Sequence, residues 1–125
     1  MSVNSCFCGS GISFAHCCEL YIKGKEKAPT AESLMRSRYS AYVVQDTDYL
    51  WNTTAPKMRK YHSKKAIMEW AKANQWLKLE VLSSTQTILE FKAYYLDNKL
   101  RAQVHYEKST FIKEADNWYY LDGEY

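Results

Sequence analysis

Trp76-Leu-Lys-Leu-Glu-Val81 is where the hydrophobic rhythm of this chain changes. Leu77, Leu79 and Val81 alternate with Lys78 and Glu80, the period of a strand with one buried face. Downstream the alternation persists. Leu89, Phe91, Ala93 and Tyr95 are interleaved with Glu90, Lys92 and Tyr94, and a long strand is expected from about Leu100 to Ile112. Asp97-Asn98 suits a tight turn because both residues tolerate left-handed backbone. Glu114-Ala-Asp116-Asn117 turns the chain into a last strand holding Trp118 and Tyr120.

Upstream the period is helical. Thr30 caps a helix whose first turn carries Glu32 and whose stripe is Met35, Tyr39, Tyr42 and Val43. Asp46-Thr47-Asp48 opens a short helix with Tyr49, Leu50 and Trp51, ended before Pro56. Ser63 caps a third, with Ile67, Trp70, Ala71 and Asn74 on one face. Three helices followed by four antiparallel strands is an α+β pattern, with helices against one face of a curved sheet. Trp70, Trp76 and Trp118 are expected in the core.

Ahead of all this stand the chain's four cysteines, in Cys6-Phe-Cys8-Gly-Ser-Gly-Ile-Ser-Phe-Ala-His-Cys17-Cys18. Four soft thiolates on a short loop are what one tetrahedral zinc ion requires. Roughly 20 residues cannot build their own core, and a structural zinc supplies about 10–16 kcal/mol in small peptides. Gly9 and Gly11 let the chain fold back, Ser10 can donate to a sulfur, and Phe14 is expected against Leu20 or Tyr21. Disulfides and unliganded thiols are the other readings of the same residues. Met1 to Ser5 lack a basic start and no long apolar stretch follows, so reduced cysteines and a cytoplasmic location are expected.

Cys-x-Cys-Gly-Ser-Gly, eight residues, then Cys17-Cys18 resembles the SEC-C motif, the zinc module that also closes the SecA translocase ATPase. The resemblance implies Cys6, Cys8, Cys17 and Cys18 as the zinc ligands and leaves His16 outside the set. Lysines usual in that loop are replaced by Ile12-Ser13-Phe14-Ala15. Further on, Met35-Arg-Ser-Arg-Tyr-Ser-Ala-Tyr42, Asp48-Tyr-Leu50, Glu90-Phe-Lys-Ala93 and Trp118-Tyr-Tyr-Leu-Asp-Gly123 resemble the bacterial YchJ family. That resemblance implies a SEC-C motif (residues 1–24) joined to a nuclear-transport-factor-2-like cone (29–125). Many members carry a second, C-terminal SEC-C motif, which is not expected here, where Glu124-Tyr125 follow the last matching block. Residues 23–29, Lys-Gly-Lys-Glu-Lys-Ala-Pro, read as a polar linker between the two parts.

Composition narrows the functional classes. The chain has 125 residues, 46% hydrophobic and 25% charged, as in ordinary soluble domains. Its 15% aromatic content, with 11 tyrosines, suits either a lined cavity or an aromatic core. A bound zinc with four thiolates would bring the formal charge of +3 to about +1, so the chain is not strongly basic. Lys57-Met-Arg59-Lys60-Tyr61-His62-Ser-Lys64-Lys65 is one local basic run that could hold phosphates.

On the long strand Arg101, Gln103, His105, Glu107, Ser109 and Phe111 share a face. Residues two apart sit about 6–7 Å apart at the backbone, so a direct relay between those side chains is not assured. Arg36 and Arg38 flank the aromatic face carrying Tyr39, and Arg38–Glu107 or Arg36–Glu90 pairs are conceivable. Arg36, Arg38, Tyr39, His105 and Glu107 are thus the candidate ligand-binding residues, and no catalytic residue is assigned. The first functional reading is an adaptor whose zinc knob meets a protein partner. The alternative is a small-molecule carrier or enzyme working from the cone, and weak nucleic-acid binding through Lys57–Lys65 is third.

Overall fold

A computed structural model describes residues 5–124. The cysteine segment forms a 3-10 turn, Phe14–His16, and a short helix α1, Cys18–Ile22. Then come α2 (Ala31–Val44), α3 (Thr47–Asn52), a 3-10 stretch at Pro56–Tyr61, and α4 (Lys64–Ala73). Strands β1 (Gln75–Ser84), β2 (Ile88–Leu96), β3 (Ala102–Glu114) and β4 (Asn117–Glu124) complete the chain. They form one antiparallel meander in the order β1-β2-β3-β4. Both the α+β class and the helices-then-strands order match the reading from periodicity.

Side-chain caps fix the helix starts. Thr30 accepts from the Ser33 N–H, Asp46 from Tyr49 and Ser63 from Ala66, each satisfying a donor the helix leaves open. Asn74 is the single residue between α4 and β1, and its amide donates to the Trp70 carbonyl at 2.8 Å. α2 lies against β1, β2 and β4. Ala31, Leu34 and Met35 of α2 meet Leu89 and Phe111 of the sheet in the main core.

Three expectations are corrected. Register shifts at Trp76/Lys78 and Val81/Ser83 place Leu77 and Leu82 opposite no partner, so both are exposed while Leu79 and Val81 pack inward. Trp70 is 40% exposed rather than core, because α4 packs only one face at the rim of the cone. Residues 23–29 are not an open spacer: Ala28 belongs to the main core, and α1 packs on α2. Leu79 touches both that core and the cysteine cluster, which ties the amino end to the sheet.

Most of the basic run is exposed, but one of its cations is tied up by the fold. Arg59 donates to the carbonyls of Trp51, Asn52 and Thr54, closing the carboxyl end of α3. Lys64 pairs with Asp48 at 3.0 Å, and Lys60 lies over Tyr61.

Candidate functional site

Two clusters of chemistry-bearing side chains flank α2. The first is the cysteine set. Gly9 and Gly11, both at φ 82°, reverse the chain, and the Cys6 N–H donates to the Ile12 carbonyl to close the loop. The four Sγ atoms then lie within 4.8 Å of one another, Cys8–Cys17 at 3.7 Å and Cys17–Cys18 at 3.9 Å. No disulfide joins them. Four sulfurs at about 2.3 Å from one zinc would stand roughly 3.8 Å apart, so the residues fit such an ion.

Cys6 is held well below the usual thiol range, chiefly by its hydrogen bond with Cys18, and that contact pushes Cys18 well above it. Burial pushes the Cys17 thiol up. Four thiolates cannot share this space without a cation. Ser10 Oγ lies 3.2 Å from Cys17 Sγ and Ser40 Oγ 3.5 Å from Cys6 Sγ, the kind of polar contact that orients metal ligands. Phe14 packs on the cluster and against Phe7, ring centroids 5.3 Å apart. His16 is exposed and meets Ser13, outside the sulfur set.

The second cluster lines a cavity of about 320 Å³ between α2, α4 and the concave sheet face. β3 points His105, Glu107, Ser109 and Phe111 into it, while Trp70 of α4 and Trp76 of β1 form an edge-to-face wall with centroids 5.9 Å apart. Tyr39 and Tyr42 of α2 pack on Trp76. Trp70 and His62 line the cavity and are exposed, which marks its mouth.

Glu107, 7% exposed, is the polar centre. Its Oε1 lies 2.9 Å from His105 Nε2, while its Oε2 accepts from Ser109 Oγ at 2.6 Å and Tyr120 Oη at 2.8 Å. Burial pushes this carboxyl up, but those donors outweigh it and leave Glu107 below its ordinary value. Gly123 makes the room. A Cβ there would collide with the Glu107 carboxylate and the Tyr120 hydroxyl.

The sequence candidates distribute unequally. Arg38, Tyr39, His105 and Glu107 all line the cavity. Arg36 does not; it pairs with Glu32 at 3.0 Å and donates to the Cys8 carbonyl at 2.7 Å, facing the cysteine loop. Neither conceived arginine–glutamate pair forms. Glu90 bonds Tyr106 and Ser83 on the other sheet face, and Glu107 is held by β3 and β4. The 2.9 Å contact of His105 with Glu107 shows that side chains bridge the backbone gap between them. Glutamate, however, sits between the histidine and the serine, so Ser109 donates to the carboxylate and not to the imidazole, unlike a serine–histidine nucleophile pair. Sequence reasoning passed over Trp70 and Trp76 as lining residues, and Gly123. The signal for the last was an isolated glycine inside a strand.

Comparison with known proteins places these features in context. The family model described as "YchJ, middle NTF2-like domain" matches residues 30–123, and that of the SEC-C motif matches residues 4–20. A UPF0225 protein of Geobacter sulfurreducens is 42% identical over 96% of this chain and 78% of its own length. Another, from Photorhabdus laumondii, is 41% identical over 94% of this chain and 79% of its own. Among solved structures, a SEC-C motif containing protein from Rhodopseudomonas palustris superposes with a TM-score of 0.88 at 35% identity. That alignment covers 96% of this chain and 97% of that one. A second, from Psychrobacter arcticus, gives 0.78 at 32% identity, covering 97% and 82%.

Proposed function

Since the chain belongs to the YchJ family, a SEC-C motif preceding that family's NTF2-like domain, we propose that it binds a small organic molecule in the cone while a zinc ion clasps its amino end. The observation that carries the reading is the aromatic-walled cavity with a buried, hydrogen-bonded carboxylate at its centre. Such a combination of apolar wall and few fixed polar groups is the usual character of a ligand site, and about 320 Å³ lies at the low end of the common range. Binding is favoured over catalysis because every polar atom of Glu107 is engaged by neighbours that hold it still.

Cys6, Cys8, Cys17 and Cys18 would hold the zinc. When bound it supplies charge neutralisation and cross-linking, because four sulfurs leave no position for a substrate. Arg36 fastens the loop to α2 through the Cys8 carbonyl, and Ser40 meets Cys6 from the same helix. Elemental analysis of purified protein should return one zinc per chain. Cystine cross-links and no metal would remove this part of the reading.

Ala93, 4% exposed on β2, lines the cavity and offers a direct test. Ligand-observed NMR with a library of small aromatic fragments should find binders to the protein, and Ala93→Leu, which fills the cavity, should lose them. Equal binding to the variant, or no binder at all, would refute the cone as a ligand site. A second reading, a knob that meets a protein partner, is supported by Phe7 and Ile12, 44% and 52% exposed on the cysteine loop. Ile12→Lys separates the two, since it alters the knob face and leaves the cone's fragments bound.

A further inference from the structure

We propose that the cone selects small monocarboxylates with an aromatic or apolar body, anchored by Arg38; the inference rests on the cone being a ligand site. Arg38 projects from α2 and its Nη1 donates twice, to the Leu50 carbonyl at 2.9 Å and to Thr53 Oγ1 at 2.7 Å. Those two bonds fix the guanidinium, which lies over the Tyr120 ring with its central carbon 4.7 Å from the centroid. Its Nε and Nη2 make no hydrogen bond among the described residues, and no carboxylate there stands within 4.0 Å of it. Among the described residues no side-chain nitrogen is sealed without a partner, so these donors stay solvent-accessible on a residue that lines the cavity.

A half-buried guanidinium among aromatic rings loses hydration and normally regains it from a counter-charge. Here the nearest internal candidate is occupied. Glu107 meets His105, Ser109 and Tyr120, and Tyr120 stands between the two charges, giving its ring to Arg38 and its hydroxyl to Glu107. What remains at Arg38 is a fork of parallel N–H donors, the shape that takes a carboxylate bidentately. The charged groups and histidines facing the cavity are Arg38, His62, His105 and Glu107, beside the phenols of Tyr39, Tyr42 and Tyr120. With Glu107 ionised, a ligand of higher negative charge would be repelled, whereas one carboxylate balances Arg38. Trp70, Trp76, Tyr39 and Phe91 then require an apolar body on the same molecule.

The experiment compares phenylacetate, phenylacetamide and phenethylamine, one shape with three charges, by titration against tryptophan fluorescence and the Arg38 Nε–H resonance. Phenylacetate should bind at least about tenfold tighter than the amide, with the amine weakest, and should move the Arg38 resonance. Arg38→Gln should erase the preference. If that variant fails to fold, the ratios in the unaltered protein still decide. Equal affinity for all three would overturn the carboxylate assignment while leaving the cone a ligand site, and preference for the amine would overturn it outright. Absence of binding by every probe would sink both the assignment and the reading beneath it.

Discussion

Glu107 is the residue whose response to acid its surroundings dictate. Its folded value lies below the ordinary 4.5 because His105, Ser109 and Tyr120 outweigh its burial. Between the folded value and about 4.5 the unfolded chain therefore holds more protons, and stability rises with pH through that window. The contribution is fully present above about 4.5 and disappears as pH falls through the folded value. Denaturation midpoints of the parent and Glu107→Gln, measured from pH 7 to pH 3, should converge at the acid end; a constant gap would absolve Glu107. Gly123 supplies a second check on the same atoms. Gly123→Ala should cost about 1–3 kcal/mol by overpacking against the carboxylate, measured by urea denaturation. In a Glu107→Ala background the cost should shrink, because the colliding group is gone.

Among the elements, legibility followed how local each cause was. Thr30, Asp46 and Ser63 could be read as caps because a cap needs only a side chain and the three residues after it. The β1 bulges that expose Leu77 and Leu82 could not, because they arise from pairing with β2, and alternation carries no trace of a skipped residue. Arg59 shows the same limit for charge. In a run of lysines it reads as a surface cation, yet three carbonyls around the end of α3 converge on it. Arg59→Ala should therefore lower stability by about 1–3 kcal/mol through the stranded carbonyls, whereas Lys57→Ala on the same run should be nearly neutral in thermal unfolding. Equal effects would return Arg59 to the solvated face. The β3–β4 hairpin offers the opposite sign. Ala115 at φ 50° and Asp116 at φ 66° form a two-residue turn in left-handed backbone, which alanine accepts poorly. Ala115→Asn should raise the thermal midpoint, by about 0.5–1 kcal/mol in stability; a lowered midpoint would contradict this backbone.

Across the whole molecule, the one thing α2 does that neither cluster reveals alone is to support both. Arg36 and Ser40 reach the cysteine loop, while Met35, Arg38 and Tyr39 of the same helix line the cavity. Cysteine count and spacing made the first cluster legible, since a metal set is written in one short segment. The cavity was legible only as residue types, because its walls come from α2, α4 and all four strands, whose meeting no local pattern records. Residues 23–29 read as a polar linker, but Ala28 and Leu79 join the amino end to the main core. Removing metal should consequently be felt in the cone. Cys8→Ser, or dialysis of the protein against a strong chelator, should lower a single cooperative melt rather than add an independent low-temperature step. It should also speed amide exchange in α2 by at least about tenfold while exchange in β3, remote from the cysteines, changes less. Because Arg38 and Tyr39 ride on that helix, affinity for any ligand of the cone should fall along with the metal content. Two separate transitions, with α2 exchange and cone binding untouched by chelation, would mean that the clasp and the cavity share a helix without sharing its stability.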